Sequence, residues 1–200
     1  MKIGFLGFGE VASTLSKGLL KQGLEVSTSI TGRSPKTVLK AKNSGVNLVN
    51  SNEELATNCQ MLISTVVPKN AVIVAREIGE SFRGIYVDLN NIAPTTVRKC
   101  RKYLSNSKFV DAAIIGSIRS GINTPLIASG KYASEFAKLN DYGMKIEIIG
   151  DKIGQASSIK MLRSSYTKGL AALLFETLLA AYKLNLDEKV LEFISRTECP

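Results

Sequence analysis

The sequence predicts an α/β protein, a doubly wound parallel sheet covered by helices, followed by an all-helical segment. Three observations carry this. Short β-rich runs alternate with helical patterns over the first 110 residues. A glycine-rich turn follows the first of those runs directly. After Gly150 the pattern becomes purely helical, with no proline and one interior glycine, Gly169, as far as about Leu184. Alternating strands and helices imply parallel strands joined by crossovers, with helices on both faces.

The elements follow in order. Lys2–Leu6 is an apolar strand, and Val11, Leu15, Gly18 and Leu19 keep helical spacing until Gly23. Glu25–Ile30 is the next strand. Ser34-Pro35 reads as a helix start, serine as cap and proline in the first turn. Asn47–Val49 is a short strand, and Ser51-x-x-Glu54 has the form of a capping box. Met61–Val67 is a continuous apolar run ended by Pro68, as expected of a buried parallel strand. Asn70–Ile78 is helical, Ile85–Leu89 a strand, Pro94 to about Leu104 a helix, and Phe109–Ile115 a strand. Leu126–Ala128 and Lys145–Ile149 are late strands flanking a helix near Ser134–Leu139. The domain boundary falls at Gly150–Gly154, giving a nucleotide-binding domain over 1–150 and the start of a helical domain over 151–200. Gly154 to about Leu184 is one long helix or two in tandem, and Asp187–Ile194 a shorter one. The leucines Leu170, Leu173, Leu174, Leu178 and Leu179 need a covering surface that 50 residues scarcely provide. The expectation is either a piece of a longer chain or a homodimer formed through the helical domain.

Composition excludes several classes of chemistry. The chain is 44% apolar and 22% charged, enough for a packed core. It contains no histidine, which removes Ser-His-Asp and Cys-His catalysis and histidine-ligated zinc. Proton transfer then falls to Lys, Tyr, Cys, Asp, Glu or water. The three cysteines, Cys59, Cys100 and Cys199, form no CxxC pair and suit a reducing cytoplasm. The amino terminus has no signal-peptide pattern, and Glu176, Thr177 and Lys183 interrupt the longest apolar stretch, so a soluble protein without a membrane partner is expected. Most of the +9 charge sits in residues 1–150, with 19 basic and 11 acidic groups, net +8, against 7 and 6 afterwards, net +1. Its densest run, Arg98, Lys99, Arg101 and Lys102, lies where a helix ends and cations complement its dipole, so it is not read as a nucleic-acid surface. A phosphorylated small ligand accounts better for the charge.

Two clusters suggest what that ligand is. Gly7-Phe8-Gly9-Glu10-Val11-Ala12 links a strand to a helix, the context required by the Rossmann fingerprint GxGxxA. There the first glycine makes the turn, the second admits a pyrophosphate, and the helix start offers N–H groups to the phosphates. The second strand ends Ser29-Ile30-Thr31 without the acid that holds the ribose hydroxyl of NAD. Arg33, Ser34 and Lys36 follow instead, a set suited to the 2′-phosphate of NADP. The third cluster is on the long helix. Ser157, Lys160, Ser164, Thr167 and Lys168 fall within a sector of roughly 100°. In a chain without histidine, a partly buried Lys160 is the natural proton carrier, its pKa lowered by burial.

These motifs resemble the β-hydroxyacid dehydrogenase superfamily, which includes 6-phosphogluconate and 3-hydroxyisobutyrate dehydrogenases. The resemblance rests on Gly7-x-Gly9-x-x-Ala12, Gly32-Arg33-Ser34, Asp88-Leu89-Asn90-Asn91-Ile92-Ala93-Pro94, Asp111-Ala112-Ala113, then Gly154 and Lys160 on a long helix. The string from Lys160 to Gly169 is most similar to a branch of archaeal and bacterial 6-phosphogluconate dehydrogenase-like proteins. The resemblance implies a Rossmann domain, a dimerising helical domain and Lys160 at the catalytic lysine position. It further implies Asn91 near the nicotinamide ribose and substrate, and Val67 and Pro68 along the cofactor. Two positions depart from the family. Its substrate-binding serine corresponds to Ile115, with Ser117 two residues later, and its asparagine four residues beyond the lysine is Ser164. The expected function is NADP-dependent hydride transfer to or from a small polar substrate such as a hydroxyacid, with Ser117, Ser164 and Lys168 orienting it. Imine reduction and non-catalytic NADP binding are the alternatives.

Overall fold

A computed structural model describes residues 1–197, so Cys199 lies outside the described residues, while Cys59 and Cys100 are buried free thiols. By internal contacts the chain divides into two compact units, Met1–Lys160 and the helical remainder from Met161.

The first unit contains eight strands: β1 (Lys2–Leu6), β2 (Glu25–Ser29), β3 (Asn47–Val49), β4 (Met61–Ser64), β5 (Ile85–Asp88), β6 (Lys108–Ile114), β7 (Pro125–Ser129) and β8 (Lys145–Gly150). Its helices are α1 (Glu10–Lys21), α2 (Pro35–Lys42), α3 (Asn52–Asn58), α4 (Ala71–Ile78), α5 (Pro94–Tyr103) and α6 (Ala133–Ala137). The long helix α7 (Gln155–Lys183) begins here, and α8 (Asp187–Thr197) closes the chain. The strands form one sheet in the order β3-β2-β1-β4-β5-β6-β7-β8. From β3 to β6 every pairing is parallel, the doubly wound arrangement expected.

The sheet is not parallel throughout. β7 runs antiparallel to β6, and β8 parallel to β7. The β6–β7 connection is a short 3-10 segment, Ile118–Asn123, too short for the helical crossover that parallel neighbours need. The β7–β8 connection contains α6 and a further 3-10 turn, and parallel pairing resumes. β4 also ends earlier than its apolar run. The Thr65 N–H donates to the Leu6 carbonyl and its hydroxyl to that of Gly7, which draws the chain off the strand toward the glycine turn.

Local signals placed the helix starts. Ser34 Oγ accepts from the Thr37 N–H with Pro35 in the first turn of α2. Ser51 Oγ accepts from the Glu54 N–H at 3.0 Å, and the Glu54 carboxylate reaches back to the Asn50 N–H at 2.8 Å. The capping box thus closes one residue before the cap. On one sheet face Phe5, Val26, Ile63, Val87 and Val110 pack against α1, α2 and α6. On the other, Leu62, Tyr86 and Phe109 meet α3, α4 and α5, with Tyr86 stacked on Phe109 at 5.5 Å between centroids. Each such fully buried side chain contributes about 1.5–3 kcal/mol.

In the second unit, α7 ends at Asn185, whose φ of 58° lets the Leu186 N–H donate to the Ala181 carbonyl at 2.9 Å. Leu170, Leu173, Phe175, Leu179 and Tyr182 are exposed. No described helix is long and apolar enough to cross a membrane.

Two carboxyls lie side by side inside the sheet. Asp88 on β5 is the register partner of Asp111 on β6, and each is 1% exposed. Asp88 Oδ1 accepts from the backbone N–H and side-chain Nδ2 of Asn90, at 3.0 and 2.9 Å. Burial pushes Asp88 up to about 7, and the neighbouring Asp111 adds to the rise. In the unfolded chain it titrates near about 3.9. Between these values the folded chain holds a proton that the unfolded chain has released, so stability falls as pH rises through that window. Urea unfolding is expected to show an Asp88-dependent loss on the order of 2–4 kcal/mol from about pH 4 to about pH 7, absent in Asp88→Asn. Parallel pH profiles of wild type and variant would remove Asp88 as the cause.

Candidate functional site

At the carboxyl edge of the parallel strands, β1 gives way to Gly7, Phe8 and Gly9. Gly7 has a φ of 84°, and a Cβ there would lie 2.9 Å from Val66 Cγ1 and 3.0 Å from the Thr65 carbonyl. The fold itself requires this glycine. Gly9 is different. Its φ is −83°, and a Cβ built there meets nothing within 4 Å. Nothing inside the protein asks for glycine at position 9; what a side chain would fill is the space in front of α1. No side chain caps the first N–H groups of α1, where Glu10 and Val11 lie. Phe8 turns inward and packs in the core with Ala12 and Leu15. A helix start with free donors, faced by a glycine without a steric reason of its own, is suited to a phosphate group.

A cleft of about 220 Å³ opens at this turn, lined by Gly7, Phe8, Gly9, Arg33, Thr37, Thr65, Val66, Val67 and Asn70. Of the cofactor residues expected from sequence, it brings together Gly7, Phe8, Gly9, Arg33 and Val67. Arg33 is partly buried, and one terminal nitrogen donates to Asn52 Oδ1 at 3.3 Å. The Asn52 amide in turn donates to both carboxylate oxygens of Glu77, at 2.9 and 3.1 Å. The Arg33 Nε–H is buried without an acceptor among the described residues. The guanidinium is therefore held at one end and has a free donor, which matches an anionic ligand.

Other expected residues lie elsewhere. Ser34 is engaged in capping α2, and Lys36 lines a separate hollow with Ser13, Lys17 and Lys40. Pro68 begins a 3-10 turn beside the cleft without lining it. Asn91 is exposed, whereas its neighbour Asn90 is buried and donates from Nδ2 to Ser64 Oγ at 2.9 Å as well as to Asp88. Ser117 caps the Ile118–Asn123 segment by accepting from the Arg119 N–H. Thr37, Thr65 and Asn70 line the cleft and were not singled out by sequence. Thr65 was hidden inside an apolar run and Thr37 inside a helix; neither position carries a local signal of its own.

Lys160 is half-buried near the start of α7, and burial lowers its pKa from the ordinary lysine value, as expected. None of the ion pairs among the described residues involves it. Ser164 and Lys168 belong to the second unit, the first half-buried and the second exposed. Ser157, read from sequence as part of the same polar stripe, is 4% exposed and bonded inward to Asp111. Asp111 Oδ2 accepts from the Gly154 N–H at 2.9 Å, from the Ser157 N–H and hydroxyl at 3.2 Å, and from the Ser129 hydroxyl at 3.1 Å. Ser129 Oγ accepts in turn from the Ala156 N–H at 3.1 Å. Burial raises Asp111 above the usual carboxylate range, and these donors oppose the rise.

Several known proteins resemble this chain in sequence or fold. A family model described as NADP oxidoreductase, coenzyme F420-dependent, matches residues 2–92. An uncharacterized 28.5 kDa protein from the 7S RNA 5′ region of Methanothermus fervidus is 47% identical over 198 residues, spanning 99% of this chain and 78% of that protein. The solved structure of conserved protein MTH1747, of unknown function and described as similar to 3-hydroxyacid dehydrogenases, matches with a TM-score of 0.90 at 51% identity, over 99% of this chain and 76% of that one. Mycobacterium tuberculosis 3-hydroxyisobutyrate dehydrogenase shares the fold at a TM-score of 0.81 and 18% identity, over 98% of this chain and 70% of that one. Pyrroline-5-carboxylate reductase 2 of Bos taurus is 28% identical over 167 residues, spanning 80% of this chain and 51% of that protein. By its likeness to the M. fervidus protein and MTH1747 over nearly its whole length, the chain belongs to their family, and it shares the fold of the 3-hydroxyacid dehydrogenases.

Proposed function

We propose that the chain is an NADP-dependent oxidoreductase that moves a hydride to or from a small polar substrate such as a hydroxyacid. The observation that carries the cofactor reading is Gly9, a glycine with open space before it at an uncapped helix start. Arg33 supports NADP over NAD. It stands where an acid would hold a ribose hydroxyl, keeps a free Nε–H, and has no carboxylate beside it on the Ser29-Ile30-Thr31 strand end. Bound there, the nicotinamide nucleotide supplies the hydride donor or acceptor.

Lys160 supplies the proton step. Its ammonium form gives a proton to an oxygen or nitrogen that becomes negative on reduction, and its amine form takes that proton back on oxidation. Burial lowers its pKa and so brings both forms into use nearer neutral pH. Ser164 and Lys168, set by helical spacing on the same side of α7 as Lys160, are proposed to orient the substrate. Imine reduction is the second reading. It is favoured by Ile115 and Ser164, which replace the family's substrate-binding serine and asparagine, and by the likeness to pyrroline-5-carboxylate reductase, whose name states a cyclic imine. The exposed leucines and aromatics of α7 support a homodimer closed through the helical segment; light scattering in dilute solution is expected to give twice the chain mass.

Fluorescence titration with NADPH and NADH tests the cofactor. NADPH is expected to bind about tenfold or more tightly than NADH, Arg33→Ala to remove the preference, and Gly9→Val to abolish binding of both while the melting temperature stays unchanged. Equal binding of the two nucleotides by wild type would overturn the NADP assignment. For the proton step, a panel of hydroxyacids, ketones and cyclic imines identifies a turnover reaction. Lys160→Met is then expected to lower kcat by about a hundredfold or more with the nucleotide Kd unchanged. Wild-type turnover in that variant would remove Lys160 from the chemistry.

A further inference from the structure

The start of α7 has no cap from its own sequence. The residue before it, Gly154, has no side chain, and its φ of 102° strains any residue that has one. The Gln155 N–H goes to the nearby Lys152 carbonyl at 3.3 Å, and three further N–H groups at this start are satisfied from far away in sequence. Those of Gly154 and Ser157 go to Asp111 Oδ2 on β6, and that of Ala156 to Ser129 Oγ on β7. Ser129 is both acceptor and donor, passing its own proton toward Asp111 Oδ2 at 3.1 Å. The two sheet residues face each other in the antiparallel β6–β7 register. Ala113, Ile127 and Ala156 seal this junction in a small buried cluster.

We propose that Asp111, with Ser129 as its relay, is a positioning residue for Lys160: the pair latches the first turn of α7 to the sheet and so sets where the lysine stem leaves the helix. Lys160 lies three residues beyond Ser157, and helical side chains lean back toward the N-terminal turn, so its stem crosses the turn that the latch holds. Asp111 suits the role because an anion at a helix start answers both the free N–H groups and the helix dipole. Its neighbour Asp88 makes a second ionised carboxyl costly, and Asp88 Oδ1 receives two donors from Asn90, whereas Asp111 Oδ2 receives four. The donors therefore favour negative charge on Asp111 over Asp88. Neither oxygen that remains over, Asp88 Oδ2 nor Asp111 Oδ1, has another partner among the described residues.

The proposal rests on the reading of Lys160 as proton carrier, and its test separates the two. Hydrogen exchange followed by mass spectrometry reads the latch directly. Asp111→Asn and Ser129→Ala are expected to speed exchange in the first two turns of α7 by about tenfold, with peptides from β1 to β4 unchanged. The second readout is the titration of Lys160, followed by NMR of ¹³C-dimethylated lysines and assigned by the signal missing in Lys160→Arg. In Ser129→Ala, which alters no charge, that titration is expected to move up toward the ordinary lysine value as the amine becomes wetter. Unchanged exchange at α7 in the folded variants overturns the latch. Faster exchange with an unmoved Lys160 titration makes Asp111 a merely structural cap and overturns the positioning role. Where Asp111→Asn does not fold, Ser129→Ala, the loss of one hydroxyl, carries both readouts. Full turnover by Lys160→Met would end the proton-carrier reading and leave the latch measurement intact.

Discussion

Parallel pairing from β3 to β6 is the constraint on which the candidate site depends, because parallel strands all deliver their carboxyl ends to one edge of the sheet. The turn after β1 brings Gly7 and Gly9 to that edge, the turn after β2 brings Arg33, and the segment after β4 brings Thr65, Val66 and Val67. These three segments are far apart in sequence. The hydrogen bonds from Thr65 to Leu6 and Gly7 then tie two of the segments into one wall. The cleft follows from strand direction, and its chemistry from which residues the chain placed at the strand ends.

The reversal at β7 has an equally direct consequence. Because β7 runs back along β6, Ser129 comes to lie opposite Asp111 rather than at the far edge, and the donors of α7 find both side chains on one face. Burying Asp111 and Asp88 side by side is costly, and the cost is offset for Asp111 by four hydrogen bonds and a helix dipole. A polar cluster of this kind adds less to stability than an apolar one of the same size could, but it has only one satisfied arrangement. That is a useful property at the start of the helix that bears the lysine, since an error of one residue in where α7 begins would rotate Lys160 by about 100°.

Much was legible from residues alone because the signals were local. The turn at Gly7, the caps at Ser34 and Ser51, and the alternation of apolar runs with helical spacing all depend on contacts within about four residues. The partial burial of Lys160 was legible as well, while its role as proton carrier is a proposal that rests on elimination, since a chain without histidine leaves few carriers. Thr65, Thr37 and Asn52 were not legible. They are ordinary polar residues whose roles exist only once β4, α2 and α3 are brought beside the glycine turn. Ser157 was misassigned for the same reason. Spacing on α7 put it on a polar stripe, and only the sheet beneath shows that it faces inward.

The sequence by itself determined the class of fold, the nucleotide turn, the absence of an acid at the end of β2 and the lysine on the long helix, because each is written in residue type and short spacing. Tertiary structure alone decided the direction of β7, the tether from Glu77 through Asn52 to Arg33, and the capping of α7 by Asp111 and Ser129. The partners in those bonds stand 18 to 46 residues apart in the chain. Over such separations no periodicity or propensity links one residue to another; only closure of the sheet brings a buried donor and a buried acceptor within reach, and their need to pair selects the arrangement.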